Sequence, residues 1–164
     1  MIRTISLAAI TALMVLPTTA HATHGSGDGP RHDFTVGGGI SGINTHFGFA
    51  AQSRPNGTDF GYAVFKNQTV GTETAGHVVC VRTVGNRASF VFEVEQGMFG
   101  MPFRAIAVED NGEPVDGQPV DRLRGFGGFA TRPTECPNPQ NAMFTAANVL
   151  TEGNILVHDS PADA

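Results

Sequence analysis

The stretch from His77 to Glu95 does most to decide what this chain folds into. Ala88, Phe90, Phe92 and Val94 alternate with Ser89, Val91, Glu93 and Glu95, the period-two pattern of a half-buried strand, because successive strand side chains leave opposite faces. Immediately ahead, Gly85-Asn86 separates this strand from another predicted over His77 to Val84. A glycine at the first turn position reaches positive φ without a Cβ clash and suits a type II′ turn, whose twist matches adjacent antiparallel strands.

The same alternation recurs along the chain. Phe47, Phe49 and Ala51 mark a strand over Thr45 to Gln52; Phe60, Tyr62 and Val64 mark one over Asp59 to Lys66. Phe103 to Glu109 is β-prone, Ile155 and Val157 support a late strand over Asn154 to His158, and shorter strands are predicted at Phe34 to Val36 and Leu123 to Phe129. Asn141 to Val149 is ambiguous, since Ala142, Ala146 and Ala147 weaken it. Gly37-Gly38-Gly39 reads as a turn or bulge after the first strand. About eight short strands between Gly, Pro, Asn and Asp turns, with no long amphipathic helix, predict an all-β antiparallel β-sandwich or partly closed β-barrel. Its interior is expected to hold Phe47, Phe49, Phe60, Tyr62, Val64, Phe90, Phe92, Val94 and Val157. Twelve Phe, one Tyr and no Trp make phenylalanine core material rather than a sugar-stacking platform.

Ahead of the strands, residues 1–22 read as an export signal: Arg3, an apolar run from Ile5 to Leu16, Pro17, and the small-x-small site Ala20-His21-Ala22. The run is too short to span a bilayer, which needs roughly 17–25 residues, so a secreted product without stable membrane insertion is expected. Residues 23–33, with Gly25, Gly27, Gly29 and Pro30, are expected to be a flexible lead to a single β domain over 34–160.

Cys80 sits in a predicted strand and Cys136 in the Pro-rich loop Pro133 to Pro139, and an even pair in an exported chain predicts a Cys80–Cys136 disulfide. Removing Arg3 from a chain of formal charge −5 leaves −6, with the remaining basic residues, Arg31, Arg54, Arg82, Arg104 and Arg132 among them, scattered. No basic footprint for nucleic acid results.

Motifs for chemistry are sparse. Asp110-Asn111-Gly112-Glu113 followed by Asp116-Gly117 clusters oxygen donors, which makes Asp110, Glu113 and Asp116 calcium candidates, yet the spacing is not that of an EF-hand and Asn111-Gly112 is equally a turn. His46 and His77 lie on predicted strands and could converge by pairing, as any two strand residues could, and no HExxH or Cys/His array accompanies them. Cleavage after Ala20 instead of Ala22 would make His21 the first residue, whose amine and imidazole chelate copper in some secreted oxygenases. Ser41 in Gly39-Ile40-Ser41-Gly42 does not form a nucleophile elbow, and the glycine run lacks the Lys of a phosphate loop.

Three segments carry a family resemblance: Phe47-Gly48-Phe49-Ala50, Gly76-His77-Val78-Val79-Cys80 and Val108-Glu109-Asp110-Asn111-Gly112-Glu113-Pro114. They resemble small exported actinobacterial proteins of unknown function, some described as carrying a post-COAP-1 domain, over roughly residues 34–124. Asp121 stands in the place of a later family Asp. The resemblance implies an extracellular all-β domain and transfers no catalytic residue. The expectation is a secreted binding or structural module without catalytic activity or cofactor, facing an extracellular protein or carbohydrate. The alternative is an extracellular hydrolase acting on carbohydrate through paired carboxylates.

Overall fold

The computed structural model describes residues 32–42, 44–54, 57–97, 100–113 and 120–160. The expected export signal, His21, the lead up to residue 31 and the calcium candidate Asp116 lie outside the described residues.

Eight strands form one antiparallel sheet: β1 (Phe34–Ser41), β2 (Thr45–Ser53), β3 (Asp59–Asn67), β4 (Thr72–Val84), β5 (Arg87–Gln96), β6 (Phe103–Glu109), β7 (Arg122–Phe129) and β8 (Leu150–His158). Their order is β7-β6-β5-β4-β3-β2-β1-β8, so the first seven run as a meander and the last returns to pair with β1. The sheet curls into a half-barrel. Its two edges touch at one end, where Arg122 bridges Val149 and the Leu150 N–H donates to the Asp121 carbonyl at 2.9 Å. No helix of the described residues is long and apolar enough to cross a membrane.

Local chemistry accounts for the hairpin at the centre. Gly85 has φ 63 while Asn86 is not among the residues with positive φ, the sign pattern of a type II′ turn. Concave-side residues then fall into register: Phe47 opposite Phe65, Phe49 opposite Ala63, and Val81 opposite Phe90. The result is a phenylalanine ladder, with ring centroids 5.9 Å apart for Phe47–Phe49, 6.3 Å for Phe47–Phe65, 4.8 Å for Phe49–Phe90 and 5.7 Å for Phe65–Phe92. Such spacings bring offset rings into contact, and each fully buried Phe contributes roughly 1.5–3 kcal/mol by area removed from water.

Four expectations need correction. On β3 the inward phase is Ala63 and Phe65; Phe60, Tyr62 and Val64 take the convex face, with Tyr62 41% exposed. Both phases of β3 are apolar, so alternation could not choose, and the concave side of a curled sheet holds Ala63 next to Phe49 without crowding. Gly37-Gly38-Gly39 is no turn; it lies inside β1. An ideal Cβ on Gly37 would stand 2.9 Å from both Ile155 Cγ1 and Phe49 Cζ, so the missing side chain lets those two groups meet across β1. The ambiguous stretch Asn141 to Val149 is not a strand, but 3-10 turns at Pro139–Asn141 and Ala146–Asn148. There Asn138 Oδ1 accepts Gln140 N and Asn148 Oδ1 accepts Thr145 N, local bonds that replace a ladder.

Finally, β5 is buried on both faces through Ala88–Phe92 rather than on one. The 130–142 segment covers its convex side: Cys136 is disulfide-bonded to Cys80, Ser89 Oγ donates to the Pro137 carbonyl, and Gln140 Nε2 donates to Val84 O. Beyond that cover, among the described residues, the convex face is open. Leu156, Val36, Ala50, Tyr62 and His77 form one lateral row over β8, β1, β2, β3 and β4.

Candidate functional site

At the end of the half-barrel where β1 meets β2 and β3 meets β4, the concave side opens into a cleft of about 450 Å³. Sequence dictates its apolar floor. Phe65, Phe92, Ile106 and Leu123 occupy inward positions on β3, β5, β6 and β7. Ser41, Thr45, Thr72 and Thr74 supply hydroxyls around it, of which Ser41 and Thr74 are on buried residues. Asn67, also at the cleft, is committed to its turn, where Oδ1 accepts Thr69 N at 2.9 Å and Val70 N at 3.2 Å.

The charged residues of the lining are Arg104 and Arg124; no Asp, Glu or His joins them among the described residues. Arg104 follows the same period-two phase as Ile106 and Val108, which places an arginine on the inward side of β6. Arg124 Nη1 donates to the Met143 carbonyl, which steadies that guanidinium against the segment before β8. The lining also has Gly125, opposite Ile106, and an ideal Cβ there meets nothing within 4 Å. A cleft of this size falls within the range of small-ligand sites, which are mostly apolar with a few placed polar groups.

The residues singled out from sequence gather elsewhere. Asp110 Oδ1 accepts Gly112 N at 2.9 Å and its Oδ2 accepts Val157 N at 3.0 Å. Glu113 is exposed nearby. Among the described residues, no group of three or more His, Cys, Asp or Glu has metal-holding geometry. His46 stands opposite Lys66 and His77 opposite Tyr62, on strands separated by β3, so pairing does not bring the two histidines together. His77 Nε2 instead lies 3.3 Å from Glu95 Oε1. Ser41 lines the cleft but has no histidine or carboxylate beside it in that lining.

Carboxylates with altered acidity serve the scaffold. Burial pushes Asp121 above its ordinary value, against the lowering effect of bonds from Asn111 N and Ile155 N, and the neighbouring Asp110 and Glu113 charges add to the rise. Burial likewise raises Asp59, which accepts Val81 N at 3.0 Å. Glu109 goes the other way: burial would raise it, but bonds from Asn111 and Arg87 and the charges of Arg87 and Arg122 together hold it below its ordinary value.

Sequence reasoning named Arg104 as one of several scattered basic residues and missed the cleft. The signal available was an arginine on the apolar phase of a strand, where a cation is costly unless it has a role or a partner. No family model, no curated protein and no solved structure matches this chain.

Proposed function

We propose that the protein is an exported, non-catalytic binding module, of the kind its resemblance to small exported actinobacterial proteins implies, built as a partly closed barrel. Its ligand site is the concave cleft. The observation that carries this reading is an open, apolar-floored space of about 450 Å³ bounded by Phe65, Phe92, Ile106 and Leu123, beside a core that holds the phenylalanine ladder. Apolar walls left uncovered by the fold gain about 25 cal/mol for each Å² that a ligand removes from water.

The alternative of a carbohydrate hydrolase needs two carboxylates across a cleft. The described lining contains none. Glu109, Asp110 and Asp121 are instead committed to Arg87, Arg122 and the backbone of Gly112, Asn111, Ile155 and Val157.

Titrating isotopically labelled protein with decanol, followed by amide and methyl NMR, tests the reading. Shifts centred on Phe65, Phe92, Ile106 and Leu123 are expected. Shifts confined to Val36, Tyr62 and Leu156 on the convex face would move the binding role there, to a protein or carbohydrate partner.

A further inference from the structure

We propose that the ligand of the cleft is an extended peptide segment of a partner protein, which adds as a further strand to the open edge of β7 and lowers apolar side chains onto Phe65, Phe92, Ile106 and Leu123. The inference rests on the cleft being the ligand site and names what occupies it. Its first support is the backbone. β7 ends the sheet, and among the described residues no hydrogen bond beyond the β6 ladder reaches Gly125 to Phe129. Alternation decides which groups are left over. Val94 N donates to the Pro102 carbonyl, so in the same register Arg104 and Ile106 turn their backbone groups to β5, and their β7 opposites Gly128 and Gly125 turn theirs away from β6.

Other stretches of sheet edge are closed. On β8 the Ile155 N–H is taken by Asp121 Oδ2 at 2.7 Å and the Val157 N–H by Asp110 Oδ2 at 3.0 Å, so side chains occupy the donors that an added strand would use. The start of β7 is covered by the Arg122–Val149 bridge and by the bond from Arg124 to the Met143 carbonyl. From Gly125 to Phe129 the edge has neither a proline nor a charged side chain to guard it. At about 3.4 Å per residue this is roughly 17 Å of edge, enough for a short peptide.

The second support is the space beside that edge. Gly125 shares the concave phase of Ile106, lines the cleft, and leaves open space where a Cβ would stand. A strand laid against β7 therefore passes its inward side chains over the edge to the apolar floor. Unpaired N–H and C=O groups at strand spacing call for a partner that carries both, which is a peptide backbone and not a plain hydrocarbon. Main-chain bonds supply affinity in this mode, and the pocket reads alternate side chains.

The experiment titrates the full exported chain with an acetylated, amidated hexapeptide alternating threonine and leucine, with two isomers of it N-methylated on one or the other alternate set of amides, and with decanol, read by NMR and hydrogen exchange. The unmethylated peptide is expected to protect the Gly125 and Gly128 amides from exchange and to shift the Ile106 and Leu123 methyls. Because a strand bonds its neighbour through alternate amides, one methylated isomer should bind at least about tenfold more weakly while the other keeps its affinity. Gly125→Pro removes an outward N–H without touching the β6 ladder, so it should weaken the peptide at least about tenfold and leave decanol binding unchanged. Should that variant fail to fold, the two methylated isomers decide the matter. Decanol bound in the cleft without peptide binding, or equal binding of both methylated isomers, overturns the strand inference and leaves the apolar cleft standing. Concentration-dependent self-association that Gly125→Pro abolishes gives the edge to a second copy of the chain and overturns the peptide assignment. Absence of both peptide and decanol from the cleft removes the cleft reading and the inference with it.

Discussion

Asp121 reaches across the curl to Ile155: its Oδ2 accepts the Ile155 N–H at 2.7 Å, and both residues are about 1% exposed. The same aspartate accepts Asn111 N through Oδ1 at 2.8 Å, and its carbonyl accepts Leu150 N at 2.9 Å. One residue thereby joins the turn after β6, the start of β7 and the strand β8 that comes from the opposite edge. Meander strands hold each other through their own hairpins; β8 lacks such a hairpin to β7, and Asp121 supplies a link in its place.

Asp121→Ala is expected to cost about 3 kcal/mol, because it strands two backbone donors, one of them in the core, and hydrogen bonds to charged acceptors are worth roughly 1.5–3 kcal/mol each before compensation by water. Asp121→Asn keeps one acceptor oxygen and should lose less. Urea unfolding of the two variants checks the order.

Acid affects Glu109 and Asp121 in opposite senses. Glu109 is held below its ordinary 4.5, so its contribution is fully present above pH 4.5 and is lost as pH falls through the folded-state value. Asp121 is raised above 3.8, so the native state takes up its proton first and gains stability as pH falls from the raised value toward 3.8. The deficit of Glu109→Gln, expected at about 1–3 kcal/mol at pH 7, should therefore shrink below pH 4.5. Relative to Asp121→Asn, the unmodified protein should gain on acidification. Denaturant titrations at a series of pH values read both trends.

Thr35 is fully buried, at 0% exposure, and its hydroxyl has no hydrogen-bond partner among the described residues. Valine has the same branched shape and no hydroxyl to strip of water. Thr35→Val is expected to raise stability by about 1 kcal/mol, since an unsatisfied buried polar group costs about 1–3 kcal/mol. A lowered unfolding midpoint would show that the hydroxyl is satisfied in solution.

The Cys80–Cys136 bond spans a sequence separation of 56. Chain entropy for such a loop gives about 4 kcal/mol as an upper guide to the loss in Cys80→Ser/Cys136→Ser. Because the bond clamps the 130–142 segment over β5, hydrogen exchange should rise first at Ser89 and Val91 on the covered side, ahead of the Phe47–Phe49 region.

Several features were legible in the residues before any coordinates. Gly85-Asn86 and the flanking alternation determined the central hairpin, because turn chemistry and strand period are local properties. Strand number followed from the same local punctuation, and Cys80 paired with Cys136 because no other cysteine competes. The phase of β3 was not legible: the bulkier apolar set Phe60, Tyr62 and Val64 pointed to the wrong face, and only pairing with Phe47 and Phe49 puts Ala63 and Phe65 inside. Nor could local pattern show that Ser89 and Val91 are buried, since their cover arrives from residues nearly fifty positions later. The cleft belongs wholly to this second kind. Arg104, Leu123, Phe65 and Ser41 come to line the same space only when the sheet curls. Strands and turns are set by interactions a few residues long, whereas burial, phase and the ligand site depend on which distant strands meet, and that was decided by the tertiary structure.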